Sequence, residues 1–336
     1  MGGPPVSVVL PVRDGEAHLG ECIESILAQT LDSWELVVVD DGSTDRTPAI
    51  LAGYSARDRR IRVLTRPPQG VAVASNEGFE AALAPLVARM DADDVALPRR
   101  LESQVEWMRD HPELAAAGCR VECFPLEGKT DGMHLYESWL NGLVDPRRIA
   151  LEMFVESPLP NPGITFRKDV FLKFGGYRDG AFPEDYDLLL RMHRAGYKLG
   201  KVSDVLLRWR DGADRLTRKD PRYSRNAFRR LKAHHMARSF AAGGEVQIWG
   251  AGREGRLWRV ALAREGVRVA RFFDVDEAKI GRVLGGGARV FHWSALPEFR
   301  GLPLICAVAV WGARAQIRES LDNLDFIEGE DYLFVS

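Results

Sequence analysis

Three acidic segments carry the side chains of this chain that could do chemistry. The first is Asp40, Asp41, Gly42, Ser43, Thr44 and Asp45, which follows the strand-like run 34–39, with Pro11 and Arg13 at the end of an earlier one. A carboxylate just past a strand can accept hydrogen bonds from a base N–H or from ribose hydroxyls, and Gly42 permits the tight turn. The same acid can instead cap the next helix. The second segment is Met90, Asp91, Ala92, Asp93 and Asp94. In an extended segment Asp91 and Asp93 face the same side. Two such carboxylates can hold a hard divalent cation and leave positions open for a diphosphate. The plain alternative is a solvated acidic turn. The third is Glu184, Asp185, Tyr186 and Asp187 at the start of a helical pattern. Acids there are favoured by the helix dipole, or one of them takes a proton from an incoming hydroxyl.

These segments need a frame. Residues 6–12, 34–39, 61–64 and 86–90 read as strands, the first two as buried β-branched runs. Residues 16–29 show helical periodicity through Leu19, Ile23, Ile26 and Leu27. Ser43 or Thr44 is placed to cap a helix running toward Tyr54, residues 71–83 form another, and Pro98 suits the first turn of one ending near Met108. Alternating strands and helices imply an α/β fold with a mostly parallel sheet. Ligands on such sheets bind at the carboxyl ends of the strands, where the first two acidic segments fall.

In order and spacing the three segments resemble the family 2 glycosyltransferases of the GT-A fold, over about residues 5–215. The resemblance implies inverting transfer from a nucleoside-diphosphate sugar, commonly a UDP-sugar, to an acceptor hydroxyl in polysaccharide or glycoconjugate biosynthesis. Carried over by position, Asp41 with Asp40 beside it would contact uracil, and Pro11 and Arg13 would line base and ribose. Asn76 also falls on the donor side. Asp91 and Asp93 would hold Mg²⁺ or Mn²⁺ and the diphosphate. Asp185 would be the general base, with Glu184 beside it. Residues 161–167 resemble the acceptor-side strand, and Gly175, Gly176 and Tyr177 the turn after it. Many members carry a histidine past the last strand that completes the metal site. Here the stretch reads Leu207, Arg208, Trp209, Arg210 and Asp211. Asp211 is therefore the expected third metal ligand, with direct binding of the diphosphate by a basic residue as the alternative.

Near residue 243 the pattern starts again. Gly250, Gly252 and Gly255 form a G-x-G-x-x-G between a strand and a helix, and Asp274 ends the next strand. This is the setting of a dinucleotide fingerprint, but 243–336 is only about one mononucleotide-binding half of the usual fold. The expectation is a small Rossmann-like α/β domain, structural or dimerising, with binding of NAD or another nucleotide left open. The organisation expected is therefore a GT-A domain at 1–220, a basic helical linker at 221–242 and a Rossmann-like domain at 243–336.

Residues 208–238 hold eleven Lys or Arg against three acids, although the chain as a whole carries a net charge of −2. Either acids such as Glu319, Asp322, Asp325, Glu328, Glu330 and Asp331 near the C-terminus cover this stretch, within the chain or across a homodimer, or it faces an anionic membrane. The second arrangement favours a lipid-linked over a soluble saccharide acceptor. Nucleic acid is not expected, because the basic stretch lacks interleaved aromatics. His234 and His235 read as surface residues. No apolar run approaches the roughly 18 residues a membrane span needs. No signal peptide is visible, and Cys22, Cys119, Cys123 and Cys306 show no disulfide or zinc spacing. A cytoplasmic location is expected, peripheral to the inner membrane face if the basic helix binds lipid. The rival functions are a non-catalytic sugar-nucleotide scaffold and an oxidoreductase using the C-terminal unit.

Overall fold

The computed structural model describes residues 3–125, 130–212, 215–310 and 312–336. They form two compact units, one of Met1–Ala150 with Pro158–Asp220, the other of Leu151–Ser157 with Pro221–Ser336.

In the first unit β1 (Val6–Val12), α1 (Leu19–Leu27), β2 (Trp34–Asp40), α2 (Thr47–Arg57), β3 (Ile61–Thr65), α3 (Val71–Ala81) and β4 (Leu86–Arg89) alternate. Then come β5 (Val95–Ala96), α4 (Arg100–Asp110), β6 (Leu114–Phe124), α5 (Asp131–Gly142), α6 (Pro146–Glu152, whose last two residues count with the second unit), β7 (Thr165–Arg167), α7 (Lys168–Lys173), α8 (Glu184–Arg194), β8 (Lys198–Arg210) and α9 (Leu216–Lys219). The eight strands form one sheet in the order β3-β2-β1-β4-β7-β6-β8-β5. Every residue of β1 and β2 is buried, as central parallel strands covered on both faces must be. Gly78 lets α3 lie against Val9 of β1, because a Cβ there would collide with the valine side chain.

The parallel expectation holds for β1 to β4 and for β6 with β8. It fails at β7, antiparallel to β4 and β6, and at β5, antiparallel to β8. The expected capping of α2 also differs. That helix starts at Thr47 with Pro in its first turn, while Ser43 and Thr44 bond to Asp14.

The second unit contains α10 (Arg225–Met236), β9 (Glu245–Trp249), α11 (Arg253–Arg264), β10 (Arg268–Asp274), β11 (Arg289–His292), β12 (Leu304–Cys306), α12 (Ala313–Asp322) and β13 (Tyr332–Phe334). Its sheet runs β11-β10-β9-β12-β13, all parallel. The stretch 221–242, expected as a linker, belongs to this unit. Lys232 of α10 is buried and donates to the carbonyls of Val155 at 2.9 Å and Val335 at 3.0 Å. His235, expected at the surface, is 2% exposed. The amphipathic face of α10 explains both: Ala227, Leu231 and Met236 are buried on the same helix. Residues 151–157 join the unit through Glu152, buried and paired with Arg314 at 2.7 Å.

Candidate active site

The strand-end loops after β1 and β2 are latched together. Asp14 takes a positive φ of 52°, so that its amide donates to Ser43 Oγ at 2.9 Å and its carboxylate accepts from Thr44 N at 2.7 Å. Gly15 N donates to Thr47 Oγ1 and Glu16 N to Asp45, while Arg46 N donates back to Glu16. Asp40 is buried and accepts from Ser43 N at 3.0 Å. Asp41 is buried too. Its two oxygens accept from Gln69 N at 2.9 Å and Gly70 N at 2.8 Å, which fixes the turn leading into α3. Both acids thus organise backbone at the mouth of the sheet, and Pro11 is buried within β1. Arg13 is exposed, 3.8 Å from Asp14.

Past β4 the chain turns rather than running on as a strand, with Asp94 N donating to Asp91 O at 3.3 Å. The turn brings Asp91, Asp93 and Asp94 together, one ligand atom of each lying within 4.8 Å of the others. Asp94, which strict alternation leaves out, is 1% exposed. Its Oδ1 accepts from Arg210 N at 2.7 Å and its Oδ2 has no partner. Burial first, then Asp91 and Asp93, push its carboxyl well above the usual range. Burial and Asp91 raise Asp93 as well. A buried carboxylate oxygen without a partner, next to two more acids, fits a hard divalent cation. Asp211 does not join them. It lies 2.6 Å from Arg218 and 3.6 Å from Arg215, so the expected third ligand is engaged elsewhere. Arg210, in the stretch where a histidine is usual, donates through Nε to Asp93 O at 2.6 Å and pairs with Glu21.

Beneath this turn sit two buried arginines that the sequence reading passed over. Arg89 reaches Asp91 at 2.7 Å, and Arg100 donates to Arg89 O at 2.6 Å. Both are 1% exposed. A charged residue closing an otherwise apolar strand is the signal that could have marked Arg89.

The third acidic segment opens α8. Asp185 is held at Oδ1 by Tyr186 N at 2.7 Å. Burial, then the neighbouring Glu184, push its carboxyl up to about 7, with a smaller contribution from Asp91. The two acidic segments are therefore within electrostatic reach of each other. Asp187 is committed to Arg191 at 2.7 Å. Arg191 also donates to the carbonyls of Phe174 and Gly176, both at 2.6 Å. Asn76, expected on the donor side, grips Tyr177 from α3. Its Nδ2 donates to Tyr177 O at 2.8 Å and its Oδ1 accepts from Tyr177 N at 2.9 Å. The Tyr177 hydroxyl in turn donates to Asn161 at 2.8 Å.

In the second unit Gly250 has a φ of 113°, and Gly255 packs so closely that a Cβ would strike Gly250 O. Gly252 has open space around it. Asp274, expected at a ribose, accepts from Ala251 N at 2.8 Å and pairs with Lys279 at 3.2 Å. Part of the charge on and just after α10 is answered locally. Arg229 pairs with Glu254 at 2.9 Å, and Arg238 with Glu265 at 2.8 Å. Of the C-terminal acids expected to cover it, Glu328 pairs with Arg318 and Asp331 bonds Ile327 N. No helix among the described residues is long and apolar enough to cross a membrane.

A mixed sheet with an acidic turn past its fourth strand and a second acidic site at a helix start defines a glycosyltransferase of the GT-A fold. The chain belongs to glycosyl transferase family 2, whose family model matches residues 7–175. It is 31% identical to the amylovoran biosynthesis glycosyltransferase AmsE of Erwinia amylovora, across 64% of this chain and 78% of that protein. It is 28% identical to the O-antigen biosynthesis glycosyltransferase WbnJ of Escherichia coli, across 61% and 79%. Among solved structures it is similar to S. aureus TarS in complex with UDP-GlcNAc, with a TM-score of 0.53, 16% identity and coverage of 77% of this chain and 72% of that one. It is also similar to the mannosyltransferase PcManGT of Pyrobaculum calidifontis in complex with GDP-Man and Mn²⁺, with a TM-score of 0.50, 22% identity and coverage of 72% and 65%.

Proposed function

We propose that the chain is an inverting, cation-dependent transferase that moves a sugar from a nucleoside diphosphate, UDP by expectation, to an acceptor hydroxyl during assembly of a surface polysaccharide. The observation that carries this reading is Asp185, a carboxyl pushed up to about 7 at the head of α8 and within electrostatic reach of Asp91. A base of that strength can take a hydroxyl proton near neutral pH. The freed oxygen attacks the anomeric carbon from the face opposite the diphosphate. The bond from that carbon to the diphosphate oxygen breaks, and its electron pair leaves with the nucleotide. Asp91, Asp93 and Asp94 would hold Mg²⁺ or Mn²⁺, whose charge favours the leaving diphosphate. The loops at Pro11, Arg13, Asp40 and Asp41 would form the base and ribose end.

The polysaccharide assignment draws on the functions named for AmsE and WbnJ, and the nucleotide and cation on the ligands of TarS and PcManGT. Four free, buried cysteines suit a reducing compartment, and the cytoplasm is the proposed location. A panel of UDP-, GDP- and dTDP-sugars, assayed for hydrolysis and transfer with and without EDTA, tests the reading. One donor should be turned over only with cation, and its product should have inverted anomeric configuration. Turnover of no donor in the panel, or a retained configuration, would overturn it.

A further inference from the structure

We propose that Arg89 is a positioning residue for the candidate cation site: it ties up one oxygen of Asp91, so that this carboxylate ligates through the other alone. The inference rests on Asp91, Asp93 and Asp94 being a cation site.

Arg89 is the last residue of β4, a strand buried along its whole length, and is itself 1% exposed. Its NH2 lies 2.7 Å from Asp91 Oδ1, its NH1 donates to Met90 O, and its Nε has no partner. The backbone carrying it is pinned on both sides. Arg89 N donates to Ile164 O at 2.8 Å, and Arg89 O accepts from buried Arg100 at 2.6 Å. Arg100 is itself tied to Gln104, which donates to Gly163 O at 2.8 Å and accepts from Thr165 at 2.9 Å. The backbone is thus fixed, and the NH1 contact to Met90 O together with burial confines the guanidinium beside Asp91.

An apolar side chain would fill this place without burying a charge, and buried ion pairs are often no better for stability than such a replacement. The arginine therefore needs another reason. The planar guanidinium fork here spans two acceptors at once, Met90 O through NH1 and Asp91 Oδ1 through NH2, and so fixes where that oxygen sits, which an ammonium point charge does not. With Oδ1 held, Asp91 offers Oδ2. One oxygen at a fixed angle suits a small octahedral cation, which tolerates little distortion. Partners that orient metal ligands typically tune affinity by about 10–100-fold.

Arg89→Lys separates geometry from charge, since it keeps the charge and loses the fork. Mn²⁺ binding is measured by electron paramagnetic resonance on the full chain without donor or acceptor, and thermal unfolding is recorded in EDTA. We expect Arg89→Lys to bind Mn²⁺ about 10–100-fold more weakly while unfolding near the wild-type temperature. A folded Arg89→Lys protein with Mn²⁺ affinity within about twofold of wild type overturns the proposal. If the variant does not fold, NMR of the arginine side chains in the wild-type chain decides. The Arg89 Nε–H resonance should shift on addition of Mg²⁺, and the shift should vanish in Asp91→Asn; no movement while Mg²⁺ binds overturns the idea. A wild-type chain that binds no cation at all overturns the cation reading, and this proposal with it.

Discussion

Asp185 must be ionised to take a proton, and its surroundings resist that. Burial and the adjacent Glu184 place its carboxyl at about 7. Transfer measured as kcat/KM should then rise about tenfold per pH unit up to about pH 7 and level off above it. Asp185→Asn should lose at least about 10²-fold in kcat with donor affinity little changed. A variant with near-normal kcat would move the base elsewhere; Asp187 is a poor substitute because Arg191 holds it. The same shift has a consequence for stability. The folded state holds this proton more tightly than the unfolded chain does, so the stability tied to it is present at acid pH. It is lost as pH rises from the ordinary carboxylate range through about 7. In EDTA, Asp185→Asn should therefore unfold at a higher temperature than wild type at pH 8, the difference shrinking as pH falls and disappearing only below the ordinary carboxylate range, near about pH 3. The cation ligands separate in a similar way. Asp94→Asn should weaken Mn²⁺ binding by at least about tenfold, whereas Asp211→Asn, whose carboxylate is already engaged by Arg218 and Arg215, should leave it unchanged. Equal losses from both variants would return Asp211 to the cation site.

At the scale of elements, β1 and β2 were legible because burial on both faces leaves continuous Val and Leu runs, and α1 because burial on one face leaves periodicity. Asp94 was not legible. Alternation presumes an extended segment, and the chain turns at Asp91 instead. Nor was the start of α2: a capping serine and a loop-latching serine look alike until Asp14 is found beside Ser43. The glycine turn before α11 shows how a pattern can serve packing. Gly255 is required by the approach of Gly250 O, while Gly252 faces open space. Asp274, the acid meant for a ribose, already holds Ala251 N and Lys279. Gly255→Ala should accordingly lower stability by about 1–3 kcal/mol, as overpacking does, and Gly252→Ala should stay within about 0.5 kcal/mol. Calorimetry of the full chain with NAD should show no binding at millimolar ligand. Tight NAD binding abolished by Gly252→Ala would make the turn a nucleotide site after all.

At the scale of the whole molecule, the chain cannot be cut where its sequence changes character. A boundary near residue 243 looks natural because Gly243 and Gly244 interrupt a helical pattern, but α10 belongs to the second unit, and so do residues 151–157 from far upstream. Within that segment Met153 and Phe154 are each 1% exposed, and Glu152 is buried against Arg314 and Arg318. Val155 O accepts from Lys232, whose pKa burial pulls down to about 8. A fragment of residues 1–220 keeps 151–157 and loses every one of these partners, so Met153, Phe154 and Val155 become an exposed apolar run. Such a run drives association. The fragment should aggregate or elute as a mixture on size exclusion, even though it contains every proposed catalytic group. Replacing Met153 and Phe154 with Ser should recover a monodisperse fragment that still binds donor. The converse fragment, 221–336, lacks Glu152 and Val155 and leaves Arg314 and Lys232 without those acceptors. It should unfold at a lower temperature than when a synthetic peptide of residues 151–157 is added in excess, since a ligand that binds only the folded form stabilises it by mass action. A monodisperse 1–220 fragment with donor affinity equal to that of the full chain would show that residues 151–157 do not need the second unit.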